Sequence, residues 1–89
     1  MTTTKYLLHD VELGDEEEFG TLEDFKLRLV SKLFQLGEGE DDQDPKYPNY
    51  MKQYDKWEQQ VDNATADNII SVANEFLYLF DYDADKYED

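Results

Sequence analysis

The chain has 89 residues, with 23 Asp and Glu against 8 Lys and Arg, one His, no Cys and a formal net charge of -15. That length fits one domain with a modest core, and the absence of Cys excludes disulfides, thiolate catalysis and zinc–thiolate centres. Aromatic residues at 15% are too many for a disordered acidic tail, and the charge excess repels anionic membranes, bare DNA and bare RNA.

The expected organisation is a single acidic domain over 1–89: an extended arm and acidic turn over 1–20, a helical core over 21–80 and an acidic tail over 81–89. The expected fold class is mainly α. About three helices surround one small core, with an N-terminal extended arm or short strand that leaves α+β open. Residues 3–13 read as extended, with Tyr6, Leu7, Leu8, Val11 and Leu13 following threonines and Gly14 closing the run. Asp15, Glu16, Glu17 and Glu18 form a like-charge block that must face solvent.

A first helix is predicted over 21–36. Thr21 serves as N-cap, and Glu23 and Asp24 suit the positive end of the helix dipole. Leu22, Phe25, Leu29, Leu33 and Leu36 form its buried stripe, widened by Val30 and Phe34, with Lys26, Arg28 and Lys32 lying off it. Gly37 is read as the stop, and 37–48 as a loop rich in Gly, Pro and acids. A second helix starts near Asn49 with Tyr50, Tyr54, Trp57 and Val61 on one face, Met51 beside them and a break at Asp62-Asn63. Thr65 caps a third helix carrying Ala66, Ile69, Ile70, Ala73, Phe76, Leu77 and Phe80. The acidic tail after it is expected to fray.

Enzyme signatures are missing. His9 is the lone histidine, Ser31 and Ser71 are the only serines and sit inside predicted helices, and no glycine-rich phosphate cradle is present. Asp81, Asp83 and Asp85 open like a calcium-binding EF-hand loop, but Lys86 stands where the turn needs glycine and no twelfth-position glutamate follows. No enzyme activity, catalytic residue, metal or cofactor is expected. With no secretory signal and no apolar run of ~20 residues, the expected compartment is the cytoplasm, the host's if the chain is phage-encoded.

The acids themselves are the candidate site. A compact domain of this length is about 30 Å across, and duplex DNA carries roughly 18 charges over that span. A single-sign field of this size steers association toward basic clefts, which hold phosphates through Lys, Arg and helix N-termini. The expected partner-binding residues are Glu38, Glu40, Asp41, Asp42 and Asp44 in the loop, then Asp15 to Glu18. Asp55, Glu58 and Asp62 follow on the second helix, with Tyr47 and Tyr50 as anchors. Tyr78, Tyr82 and Tyr87 are further rim candidates, whereas Tyr54 and Trp57 read as core.

In size, charge and helical pattern the chain is similar to small phage proteins that imitate DNA to disarm host restriction or CRISPR nucleases. The likeness is one of composition over the whole chain; no motif aligns, so no functional residue carries over. It implies an inhibitor that occupies the nucleic-acid cleft of a host defence protein or another nucleic-acid-binding protein, itself touching no nucleic acid or membrane. The alternative reading is a non-mimetic adaptor that binds a transcription or replication subunit through an aromatic patch at Tyr50 and Tyr54. Charge serving only solubility is a third reading. Homodimerisation would extend the acidic surface.

Overall fold

The computed structural model describes residues 4–88. The chain runs β1 (Thr4–Asp10), β2 (Glu16–Phe19), α1 (Leu22–Glu38), α2 (Tyr47–Asn63), α3 (Ile69–Leu77), a 3-10 turn (Tyr78–Phe80) and β3 (Tyr82–Glu88). Three strands form one antiparallel sheet in the order β2-β1-β3. The fold is therefore α+β, which corrects the mainly α expectation. The arm is the central strand, the acidic block is one edge strand and the tail is the other. Residues 1–3 of the expected arm and Asp89 of the expected tail lie outside the described residues.

The acidic segments become strands because every second side chain turns inward. Tyr6 and Leu8 of β1 are buried, and they pair with Phe19 and Glu17 of β2 and with Lys86 and Ala84 of β3. The β1–β2 turn is held by Asp10, whose Oδ1 accepts from the Glu12 N–H at 3.1 Å and the Leu13 N–H at 3.0 Å. Gly14 closes that turn at φ 78°, a conformation glycine adopts without a Cβ clash. Asp81 takes φ 57° to leave the 3-10 turn, and a short polar side chain tolerates that region better than most.

The free edge of β3 is closed by side chains. Asn74 Nδ2 donates to the Ala84 carbonyl at 3.2 Å, while its Oδ1 accepts from the Ala84 N–H at 2.8 Å. Asp85 Oδ1 accepts from the Lys86 N–H at 2.8 Å. An exposed edge is a template for pairing with another chain, and these bonds remove part of that template.

Helix α1 begins as expected, with the Thr21 side chain accepting from the Asp24 N–H at 3.1 Å. Phe25, Leu29 and Leu33 are buried, joined by Val61, Ile69, Ala73, Phe76 and Leu77 from the other helices. Tyr6 stacks on Phe25 at 5.3 Å, and Trp57 tilts against Phe76 at 5.7 Å. Helix α3 packs on β3, and α2 packs against α1 and α3.

Several boundaries and placements differ from expectation. Gly37 does not stop α1, which runs to Glu38. A Cβ at Gly37 would lie 3.4 Å from Met51 Cε, an ordinary contact with a flexible side chain, so this position faces α2 without requiring glycine. Phe34 is 67% exposed, not part of the core. Helix α2 starts two residues early, at Tyr47, with Pro48 in its first turn, and continues through Asn63. Thr65 and Ala66 precede α3, whose N-cap is Asn68.

Lys32 lies off the predicted buried stripe, yet it is only 6% exposed. Its ammonium sits 3.9 Å from the Tyr82 ring centroid and 5.3 Å from that of Phe80. Burial, followed by the nearby Arg28 charge, lowers its pKa. Tyr82, a rim candidate, is half-buried beneath this cation instead. Its phenol is pushed upward by burial and by Asp10.

Candidate functional site

The sheet has one face on the core and one in solvent. Because Tyr6, Leu8 and Ala84 point inward, alternation turns Lys5, Leu7 and His9 outward, with Glu16 and Glu18 on one side and Asp83 and Asp85 on the other. Leu7 pairs with both Glu18 and Asp85, and His9 pairs with both Glu16 and Asp83. Four carboxylates thus form two rows. Within a row the bearing backbone positions are about 7 Å apart, and the two edge strands that carry the rows lie about 10 Å apart across β1. Glu16 Oε2 lies 3.1 Å from His9 Nδ1 and Glu18 Oε2 lies 3.6 Å from Lys5 Nζ. The Lys5–Glu18 contact is exposed and the His9–Glu16 contact partly so, as befits weak surface pairing.

A second acidic feature lies between the C-terminal half of α1 and α2. A groove of about 740 Å³ has Val30, Leu33, Phe34 and Met51 as its apolar lining. Its acids are Glu38, Glu40, Asp41, Asp42, Asp55 and Glu58, and no Lys or Arg lines it. Helical spacing explains the convergence: 30, 33, 34, 37 and 38 form one stripe on α1, and 47, 51, 54, 55 and 58 form the facing stripe on α2. The connecting loop is pinned. Tyr54 Oη donates to Glu40 Oε1 at 2.6 Å, and burial together with this bond pushes the Tyr54 pKa up to about 12. Asp41 Oδ1 accepts from the Gln43 N–H at 2.9 Å, and Asp44 Oδ1 accepts from the Lys46 N–H at 2.8 Å.

The expected site residues therefore fall into separate groups. Glu38, Glu40, Asp41, Asp42, Asp55, Glu58 and Tyr47 meet at the groove, while Glu16 and Glu18 face outward from the sheet. Glu17 points the other way and pairs with Arg28 at 3.4 Å. Asp15 lies in the β1–β2 turn, where its carbonyl accepts from the Asp10 N–H at 2.8 Å. Asp44 and Asp62 lie outside the groove lining, and Tyr50 is half-buried. Asp83 and Asp85 join Glu16 and Glu18 from a segment whose sequence suggests a frayed tail but which forms β3. The signal that could have found them is the alternation Tyr82-Asp83-Ala84-Asp85-Lys86, in which every second residue alone is charged up to Ala84.

Among the described residues no base pairs with a groove acid, whereas on the sheet face Lys5 and His9 pair with Glu18 and Glu16 and leave Asp83 and Asp85 without a basic partner. Among the described residues, ion pairs engage only Glu16, Glu17, Glu18 and Glu88. Lys26 Nζ donates to the Asp62 carbonyl at 3.0 Å, and Lys86 Nζ donates to the Ala66 carbonyl at 3.0 Å while also lying 3.6 Å from Glu88 Oε1. The molecule measures 51 × 30 × 16 Å. Duplex DNA of that longest dimension carries roughly 30 charges and a single strand roughly 15. The net charge of -15 therefore matches one strand's density along the long axis, not a duplex's.

No helix among the described residues is long and apolar enough to cross a membrane, and no cluster of acids and histidine among them is arranged to hold a metal ion. Comparison with family models, with curated proteins and with solved structures finds no match.

Proposed function

We propose that this protein is a binding protein that occupies the basic nucleic-acid-binding surface of another protein and thereby competes with DNA or RNA. It works in the cytoplasm, as an inhibitor and not an enzyme. Host restriction and CRISPR-type nucleases are the target class favoured by its likeness to DNA-imitating phage proteins. The observation that carries the reading is the pair of carboxylate rows on the outer sheet face, Glu16 and Glu18 opposite Asp83 and Asp85, fixed by strand register. Hydrogen-bonded strands hold these charges at set separations, so a cationic cleft meets a preorganised array and little ordering entropy is lost on binding. The adaptor reading draws less support, because Tyr50 and Tyr54 are half-buried and Tyr54 is tied to Glu40.

The test is retention of a basic nucleic-acid-binding protein on immobilised protein at low salt, followed by elution with duplex DNA or RNA. The reading expects the nucleic acid to strip the retained protein. A variant combining Glu16→Gln, Glu18→Gln, Asp83→Asn and Asp85→Asn should bind it about ten- to a hundredfold more weakly. Retention unaffected by nucleic acid, or full affinity in that variant, contradicts it.

A further inference from the structure

The groove between α1 and α2 differs from the sheet face in one respect: it combines carboxylates with an open apolar lining. Phe34 is 67% exposed at its wall, an unusual state for a phenylalanine in a helix with its own buried stripe. Leu27, two turns earlier on α1, is 69% exposed and extends the apolar surface away from the loop. A groove lined this way is matched by a side chain that is apolar on one face and cationic on its flanks.

We infer that this groove docks a cationic amphipathic helix of a partner protein, with a bulky apolar residue seated against Val30, Phe34 and Met51 and with Lys or Arg facing the surrounding acids. The inference rests on the reading of the protein as a ligand of basic protein surfaces, and it adds an apolar anchor that a phosphate backbone does not possess. Length supports a helix. The lining stripe spans residues 30–38 on α1 and 47–58 on α2, or about 12 Å and 17 Å at the α-helical rise. Two to three turns of a third helix fit such a trough, with apolar residues at i, i+3, i+4 and i+7.

Charge sets the occupant's sign and orientation. Asp55 and Glu58 stand on the α2 wall, while Glu38, Glu40, Asp41 and Asp42 cluster where the loop closes the groove. No base in the lining opposes a cation. The acids are spread along the trough and its end instead of converging on one point, as a small-molecule site requires. The Tyr54–Glu40 bond fixes the closed end, so this wall is preorganised.

The probe is a fluorescein-labelled peptide of about 16 residues built from Leu and Lys, with the leucines at helical spacing. An oligolysine of equal charge and a scramble of the same composition serve as comparisons. Anisotropy titration at low salt should give tighter binding for the amphipathic peptide than for either comparison, by about tenfold or more. Phe34→Ser should cost about tenfold, and the combination Glu38→Gln, Asp55→Asn and Glu58→Gln a similar factor. Leu13→Ser, at an exposed leucine outside the groove lining, should change nothing; circular dichroism confirms that each variant is folded. Equal affinity for oligolysine, or wild-type affinity in Phe34→Ser, overturns the inference. If either occurs while nucleic acid still competes for a basic partner, the groove proposal fails alone. If the peptide binds as expected but no partner is stripped by nucleic acid, the mimicry reading fails alone.

Discussion

Removing the Asn74 side chain is expected to loosen the strand that displays half of the sheet's carboxylate rows. In Asn74→Ala the Ala84 backbone loses a donor at 3.2 Å and an acceptor at 2.8 Å, and Ala84 is only 5% exposed. Each group left unpaired at such a site costs about 1–3 kcal/mol, so the variant should lose about 2–6 kcal/mol. Total stability for a domain of this length is about 4–13 kcal/mol, so the loss is a large fraction of the whole. Urea unfolding followed by circular dichroism and by Trp57 fluorescence reads it directly, because Trp57 packs on Phe76 of α3. Asn74→Asp supplies the sign. It keeps the acceptor for the Ala84 N–H but sets a carboxylate against the Ala84 carbonyl, which favours the protonated form in the folded state. The deficit relative to wild type should be full at neutral pH and shrink on acidification, as the protonated carboxyl recovers a donor. A loss below about 0.5 kcal/mol in Asn74→Ala, the level of an ordinary surface change, would refute the clamp.

Other consequences follow from the same contacts. Monovalent salt should raise the melting temperature, because few acids are paired and screening relieves their repulsion; a fall would contradict this. Lys32→Glu puts a carboxylate against the Tyr82 and Phe80 rings and should destabilise the fold by at least about 3 kcal/mol, whereas Lys32→Met keeps the stem packing and should lose far less; equal losses by chemical denaturation would count against the cation's role. The raised Tyr54 pKa means its contribution is complete below pH 10 and lost as pH climbs toward about 12. Stability of Tyr54→Phe should therefore fall less than wild type over that alkaline window, and parallel curves would be the adverse outcome. Truncation after Asp81 removes β3 with the core residue Ala84, and it should abolish the cooperative melt; a sharp transition in the truncated chain would mean that β3 is dispensable.

The helices were legible because their signals are dense. Thr21 caps α1 as its chemistry suggests, and Phe25, Leu29 and Leu33 recur at helical spacing in the core. The edge strands were not legible, since β2 buries little beyond part of Phe19 and β3 fully buries only Ala84. A period of two carried by so few apolar residues does not stand out from an acidic run. Lys32 escaped notice for a different reason: the rings that cover it come from the far end of the chain, and nothing local marks the position. The groove was half visible. Its acids were singled out as loop charges, but their meeting with Asp55, Glu58 and the exposed face of Phe34 depends on how α1 crosses α2.

The central claim is that register-fixed carboxylates occupy a surface built for phosphates. Its most direct measurement is the affinity of a basic-cleft nucleic-acid-binding partner for its own DNA or RNA, titrated against rising concentrations of this protein at constant salt. The account predicts an apparent Kd for the nucleic acid that grows in proportion to the protein added, with no complex containing all three components. A plateau in that Kd, with protein and nucleic acid bound together, would contradict it.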